Sequence, residues 1–407
     1  MKGNDILSEI KNYNLLIITE IINKEKLYLL NEECRKNKVG FIYTSALGIS
    51  GFCFVDFGIH SIKDNNGEEC KSYIIKKISK EGEIFIDTSA SNKKFNISKR
   101  NKVIFREING LSCLNDGKPR EITKIKPYSF YISDKLNYED YIFGGICEEV
   151  KTTKIIEYLP IKERMYIPYT DNINKPKSFD LSKIGISELI HCGILAIHEF
   201  YGKHNNSLPE LNDFKMPQEI LEIVKKIYQK GKDEKLNWID NIKWDDKIIL
   251  NLAKLAKSEI SPICSFLGGI AAQEIIKFTG KYTPINQWFW FEFSEILENL
   301  PENIDKSLKN SRYDDQIAIF GREMQNKIFD TNIFMIGAGA LGCEFLKNFA
   351  LMGFAINENK NVIVTDNDNI EISNVNRQFY LDKVMWVNQS LYAHVGKLKK
   401  LTNILIV

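Results

Sequence analysis

The sequence has no Cys-x-x-Cys pair and no close grouping of cysteine with histidine; its 8 cysteines, at positions 34, 53, 70, 113, 147, 192, 264 and 343, are scattered singly. That argues against a structural zinc site and for reduced thiols, so a cytoplasmic and nuclear location is expected. No stretch reaches the roughly 18 uncharged apolar residues that a membrane helix needs, and no membrane partner is expected. Met1-Lys2-Gly3-Asn4-Asp5 shows no basic region leading into an apolar run, so no secretory signal is visible. The net charge of +2 supplies no global pull toward nucleic acid. No internal repeat stands out, and the only compositional bias is toward Asn, Lys and Ile.

What is present is enough apolar mass for several cores: 407 residues, of which 44% are hydrophobic. Leu15-Leu16-Ile17-Ile18 reads as a short buried strand, residues 24–36 as an amphipathic helix, and Gly40–Thr44 and Gly51–Asp56 as two further strands. Strand, helix, strand implies a parallel pair with a covering helix. Over 59–147 short apolar runs alternate with turn signals such as Asp64-Asn65-Asn66-Gly67 and Asn115-Asp116-Gly117-Lys118-Pro119, the spacing of a small antiparallel barrel or sandwich. Residues 181–278 read as a helical bundle, with Leu221, Val224 and Ile227 on one helical face and Ile248, Leu252, Leu255 and Ala256 on another. The run Ile263–Glu274 is rich in small residues, which predicts close backbone packing against another element. Asn286–Phe291 reads as a strand, and the last block, 331–407, as α/β again.

The chemistry concentrates in that last block. Gly337-Ala338-Gly339-Ala340-Leu341-Gly342 is a G-x-G-x-x-G placed after the strand Ile333–Ile336 and opening a helix over 340–353. Gly337 serves the tight turn, Gly339 a close approach of backbone to nucleotide, and Gly342 the packing of helix on strand. Free N–H groups at the helix start favour an anion. Asp366 ends the next strand, 24 residues after Gly342, where an acid takes ribose hydroxyls. To this point NAD and ATP are equally supported. The polar loop Asp366–Phe379 separates them: Arg377 is a guanidinium suited to charge building on an α-phosphate and a leaving pyrophosphate, with Asn374 as an orienting donor and Lys397 and Lys399 as further point charges. A hydride-transfer site has no need of these. His191 and His198, seven residues apart on one helical face, find no third metal ligand and read as packing residues; Cys343 reads as a small buried residue rather than a reactive thiol.

Taken together, Ser311–Gln316, Gly337–Gly342, Thr365–Asp368 and Asn374–Phe379 resemble the active adenylation domain of the ubiquitin-activating enzyme (E1) family in order and spacing. Leu47–Gly58 is similar to the end of that family's inactive adenylation half, and Gly110-Leu111-Ser112 with Asp140–Ile146 to its first catalytic-cysteine half-domain. The resemblance implies α/β, Rossmann-like parallel sheets of the ThiF/E1 adenylation type, with an inserted antiparallel β barrel and a helical bundle. It divides the chain into the end of an inactive adenylation domain (1–58), the barrel (59–147), a linker and bundle (148–280), a return strand and linker (281–310), and the start of an active adenylation domain (311–407).

The implied function is ATP- and Mg²⁺-dependent adenylation of the ubiquitin C-terminus, followed by transfer to a cysteine outside this chain. The resemblance makes Gly337, Gly339, Ala340, Gly342, Asp366, Asn374, Arg377, Lys397 and Lys399 nucleotide-binding, Arg377 and Lys399 catalytic, and no residue of the chain a metal ligand. Implied partners are ubiquitin and, through domains absent here, ubiquitin-conjugating (E2) enzymes, with two adenylation halves forming a pseudo-dimer inside one full-length chain. Three departures are seen. The first glycine motif and an N-terminal arginine helix are missing; the chain stops before the family's magnesium-binding aspartate; and Arg377 and Lys399 lie 22 residues apart because an extra stretch around 383–391 reads as a retained intron or gene-model error. The alternatives are a truncated inactive fragment or a binding scaffold and, more weakly, an NAD-dependent oxidoreductase.

Overall fold

The computed structural model describes residues 3–87, 96–99, 101–135, 137–170, 181–211, 213–301, 303–366, 376 and 404–406. Two compact units divide the chain: Met1–Gly58, Leu159–Gln273 and Ile285–Val407 form the first, and Ile59–Tyr158 with Glu274–Pro284 the second.

In the first unit a short helix α1 (Gly3–Glu9) precedes strand β1 (Leu15–Ile18), helix α2 (Lys24–Lys36), and strands β2 (Gly40–Leu47) and β3 (Ser50–Asp56). Asn23 starts α2 by accepting the N–H groups of Glu25 and Lys26, the usual service of an N-cap carbonyl. Crossing over α2 returns the chain beside its starting strand, so β1 and β2 are parallel, with Leu15 opposite Gly40. Strand β3 instead folds straight back on β2. Leu47 faces Ser50 across a two-residue turn in which Gly48 takes φ +67°, a conformation that favours glycine. Within this Rossmann-like sheet the parallel pair is β1 with β2, and the tight hairpin turns β3 antiparallel to β2. At its end Asp56, almost fully buried, accepts from Asn31 Nδ2 (2.9 Å) and Arg35 (2.7 Å), which ties α2 to the sheet.

The second unit begins with β4 (Ile59–Ile62). Strands β5 (Ser72–Ile78), β6 (Ile84–Ile86), β7 (Lys102–Arg106), β8 (Arg120–Lys126), β9 (Ser129–Ile132) and β10 (Ile146–Val150) close into a barrel, and β11 (Lys154–Glu157) follows. Every pairing around the barrel is antiparallel. Its interior is filled by Ile84, Val103, Phe105, Ile122, Phe130 and Cys147, all fully buried. Strand β4 stands outside it, paired antiparallel with β11 alone. The barrel thus starts at Ser72, later than the turn signals imply, because the partner of β4 lies far away in sequence.

Back in the first unit come α3 (Ile161–Tyr166), α4 (Ile186–Lys203), α5 (Met216–Asp233), α6 (Asp246–Lys254), α7 (Ser261–Phe278) as far as Gln273, and strand β12 (Trp288–Glu292). Strand β12 adds to β3 in antiparallel register, Trp288 opposite Phe54, so segments 40–57 and 285–293 share one sheet of order β1-β2-β3-β12. The helices do not form a bundle with a core of its own. Leu189, Ile194, Leu221, Val224 and Leu252 join Phe41, Tyr43, Phe52, Phe54 and Trp288 in one apolar cluster on the sheet face. Helix α6 ends at Lys254, so Leu255 and Ala256 are buried from beyond the helix, while Ile249 occupies the core and Ile248 lies at its margin. Gly268 and Gly269 do not mediate the close packing expected of them: a Cβ built on either would meet nothing within 4 Å. They line an open cleft instead.

Helices α8 (Asp314–Phe320) and α9 (Arg322–Phe329) lead into β13 (Ile333–Ile336), α10 (Ala340–Met352), β14 (Val362–Thr365) and β15 (Ile404–Ile406). All pairings of this second sheet, in the order β13-β14-β15, are parallel. Ala338, Leu346, Ala350, Ala355, Val362 and Val364 form its core with α10 on one face. Phe334 and Ile336, which alternate with the core-facing residues of β13, are 63% and 79% exposed, so no described element covers its other face. No helix among the described residues is long and apolar enough to cross a membrane.

Candidate nucleotide site

The glycine turn follows from register. Ile336 lies opposite Thr365 in the parallel pair, and the chain reverses immediately after it into α10. Gly337 takes φ +99° and donates its N–H to Thr365 O at 2.8 Å. Ala338 N–H donates to Asp366 Oδ2 at 2.5 Å, which brings the acid that ends β14 onto the rim of the turn. Asp366 thus serves the turn's own backbone with one oxygen, a role beyond the expected contact to a ribose; a carboxylate has acceptor sites for more than one donor.

The three glycines differ in what surrounds them. A Cβ on Gly342 would overlap the carbonyl oxygen of Gly337, which is the tight helix-to-strand packing expected of this position. A Cβ on Gly339 would meet nothing within 4 Å among the described residues, and its φ is −64°, so they leave space at the turn there. Ala340 is the first helical residue of α10. The opening N–H groups of a helix have no partner within it, and its dipole is positive at that end, so the turn and α10 together favour an anion. Cys343 is buried, with its thiol toward Ala338 O at 3.4 Å. Burial first, then Glu344 and Asp366, raise its pKa, the opposite of an activated thiol.

Asn374, Arg377, Lys397 and Lys399 lie outside the described residues. The structure does show partners that the motif alone did not reveal. Arg312, in the Ser311–Gln316 stretch, donates to Ala350 O at 2.7 Å, and Gln316 and Gln325 both donate to Met352 O at 3.0 Å. They satisfy carbonyls near the end of α10, which a helix leaves unpaired. A cleft of about 860 Å³ is lined by Cys264, Gly268, Arg312, Asp315, Glu344 and Lys347 among others, but by no residue of the glycine turn.

His191 and His198 are buried in α4. Nε2 of His191 meets Met165 O at 2.8 Å, and Nε2 of His198 meets the Tyr43 hydroxyl at 2.9 Å. Both are packing residues, and no group of three metal-ligating side chains occurs among the described residues.

A strand, a glycine turn and a helix, with an acid from the next parallel strand bonded to the turn, define a Rossmann-like nucleotide-binding fold. The ThiF family profile matches residues 313–385, and that of the ubiquitin-activating enzyme E1 FCCH domain matches residues 85–151, which contain five of the barrel strands in whole or in part. The chain is 37% identical over 376 residues to ubiquitin-like modifier-activating enzyme 1 of Dictyostelium discoideum, covering 91% of this chain and 35% of that one. It is 34% identical over 388 residues to ubiquitin-activating enzyme E1 2 of Triticum aestivum, with 93% and 35% covered. Against ubiquitin-like modifier-activating enzyme 1 of Oryctolagus cuniculus it is 33% identical over 375 residues, with 91% and 34% covered. The chain belongs to the ubiquitin-activating enzyme (E1) family. It spans 34–35% of the length of these relatives.

Proposed function

We propose that the chain carries the nucleotide-binding start of an enzyme that activates ubiquitin by adenylating its C-terminal carboxylate with ATP, the first step of protein ubiquitination. The observation that carries this reading is the bond from Ala338 N–H to Asp366 Oδ2, which sets the acid against the mouth of α10. In the proposal ATP lies along the turn, where Gly339 leaves room for it. The α10 amides face the phosphates and Asp366 the ribose. Asn374 and Arg377 face the α-phosphate, where negative charge grows as the carboxylate attacks, and Lys397 and Lys399 the departing pyrophosphate. Mg²⁺ would neutralise phosphate charge; its ligands are not among the described residues. The acyl group then passes to the thiol of a cysteine outside this chain, with AMP as the leaving group. E2 enzymes dock on further domains, two adenylation halves of one full-length chain form a pseudo-dimer, and the enzyme works in cytoplasm and nucleus. The relatives lend no support to the dehydrogenase alternative.

Ubiquitin-dependent exchange of labelled pyrophosphate into ATP tests the proposal. The 407-residue chain alone should show none. A chain extended to the span of its relatives, with 383–391 removed, should show exchange, and Arg377→Ala in it should lower the rate about 100-fold, the usual cost of one charge-stabilising donor. Exchange that ignores ubiquitin, or that survives Arg377→Ala unchanged, overturns the assignment.

A further inference from the structure

Helix α10 is held along one side by apolar packing and at its far end by directed hydrogen bonds. Leu346 and Ala350 pack in the core of the second sheet, while Leu341 and Phe345 are exposed. Apolar contact resists separation of helix and sheet but is non-directional, so it does little to stop the helix sliding along its axis. The polar contacts at the far end do stop it. Gln316 Nε2 donates to Gln325 Oε1 at 2.7 Å, and both carboxamides donate to Met352 O at 3.0 Å. Arg312 donates to Ala350 O at 2.7 Å, with its guanidinium 4.8 Å from the centre of the Tyr313 ring. We infer that Gln316, Gln325 and Arg312 are positioning residues for the nucleotide: by fixing the carboxyl end of α10 they set how far its amide end reaches toward the phosphates. The inference rests on the reading of the glycine turn as an ATP site.

The socket that holds this end is anchored outside the sheet that α10 covers. Ile319 of α8 is fully buried in an apolar cluster with Ile49, Leu255, Ile263 and Leu267. Asp315 Oδ2 accepts the Glu259 N–H at 3.1 Å and Asp315 O accepts the Ser258 hydroxyl at 3.2 Å, so α8 is also bonded to the segment that leads into α7. The rings of Tyr313 and Phe329, edge to face at 4.9 Å, close on Gly353, where a Cβ would overlap both. Gln316 and Gln325 are themselves buried. Apolar side chains of the same volume would fill that space; what the carboxamides add is direction, a fixed distance from α8 and α9 to the last turn of α10. At about 1.5 Å per residue the 13 residues of α10 make a rod about 20 Å long, so a shift at Met352 arrives at Ala340.

Competition of ATP and of adenosine against a fluorescent ATP analogue on the 407-residue chain, at a temperature where every variant is folded, tests the inference. Adenosine has no phosphates, so displacement of the amide end changes its affinity little. Gln316→Met and Gln325→Met should each bind ATP about tenfold more weakly than the parent, the worth of one charge-assisted hydrogen bond, and adenosine as the parent does. The double variant should lose no more than the larger single loss, because the two carboxamides act as one unit. Arg312 is exposed, so Arg312→Met keeps the fold and should show the same selective loss. Arg312→Lys, whose ammonium still donates to Ala350 O, should keep ATP affinity. Arg35→Met, which removes a tie between α2 and the first sheet, should lower the melting temperature and leave the ratio of ATP to adenosine affinity at the parent's value. If the two affinities fall together in the glutamine and Arg312→Met variants, or neither falls, the three residues are structural alone and the inference is overturned. A parent chain that binds neither compound overturns the reading of the glycine turn, and this inference with it.

Discussion

Gly342→Val should abolish nucleotide binding and destabilise the second sheet, whereas Gly339→Ala should weaken nucleotide binding and leave stability nearly unchanged. The two glycines lie three residues apart in one motif, yet a Cβ on Gly342 would overlap the Gly337 carbonyl oxygen, whereas one on Gly339 would enter empty space. The Gly337 backbone that crowds Gly342 cannot swing aside as a long side chain would. The helix must lift off β13, and overpacking of this kind costs about 3 kcal/mol or more. Lifting α10 also moves its amide end away from the place proposed for the phosphates. At Gly339 the φ of −64° is ordinary for alanine, so the added methyl costs the fold little and occupies space proposed for ATP. Thermal melting and the binding of a fluorescent ATP analogue, measured on both variants, separate the roles. If Gly339→Ala binds the analogue as the parent does, the nucleotide does not approach the turn there. If Gly342→Val melts with the parent, the packing role of Gly342 is wrong.

Much of this site was legible because its signals are local. The strand Ile333–Ile336, the turn and the next strand Val362–Thr365 follow from apolar runs and glycines close in sequence, and Asp366 falls on the turn because parallel register puts Thr365 beside Ile336. The first crossover, β1-α2-β2, was legible on the same grounds. What stayed hidden depends on distant partners. Nothing near Ile59–Ile62 announces that its partner is Lys154–Glu157 rather than a barrel strand. Small residues at 268 and 269 promised close packing, but composition cannot tell a helix face that meets a neighbour from one that borders a cleft. Arg312 and Gln316 were visible only as motif letters; their service to the carbonyls ending α10 required the fold. The apolar faces of the helices show in sequence, whereas the sheet they cover does not, so their shared cluster with Phe41, Phe52 and Trp288 required the fold.

Acid should unfold the first unit near pH 4 to 5, with two histidines responsible for much of the loss. His191 and His198 are 0% and 2% exposed, and burial lowers their pKa values from 6.5 to about 4 and about 3; for His198 the charge of Lys24 is the next cause. Met165 O can only accept, so His191 carries its proton on Nε2 and leaves Nδ1 unprotonated. That Nδ1 is buried without a partner among the described residues, and Trp238, Trp288 and Trp290 pack against the ring edge to face. A second proton there would make a buried cation that no described carboxylate is bonded to. Because the folded pKa values are depressed, the stabilisation is whole above pH 6.5, where unfolded histidine is also neutral. It is lost as pH falls below 6.5, since the unfolded chain takes up protons that the folded chain refuses, at about 1.4 kcal/mol per pH unit for each histidine. By pH 4 each has removed on the order of 3 kcal/mol, and the pair rivals the whole stability of a typical domain. Urea unfolding at pH 7.5, 6, 5 and 4.5 measures the slope. His191→Gln and His198→Gln remove the titration, so each should flatten that slope by about one proton even though each lowers stability at pH 7.5 through lost packing. A slope that does not change in either variant would mean that the acid sensitivity belongs to the carboxylates, and that these two rings are already protonated or solvated in the folded chain.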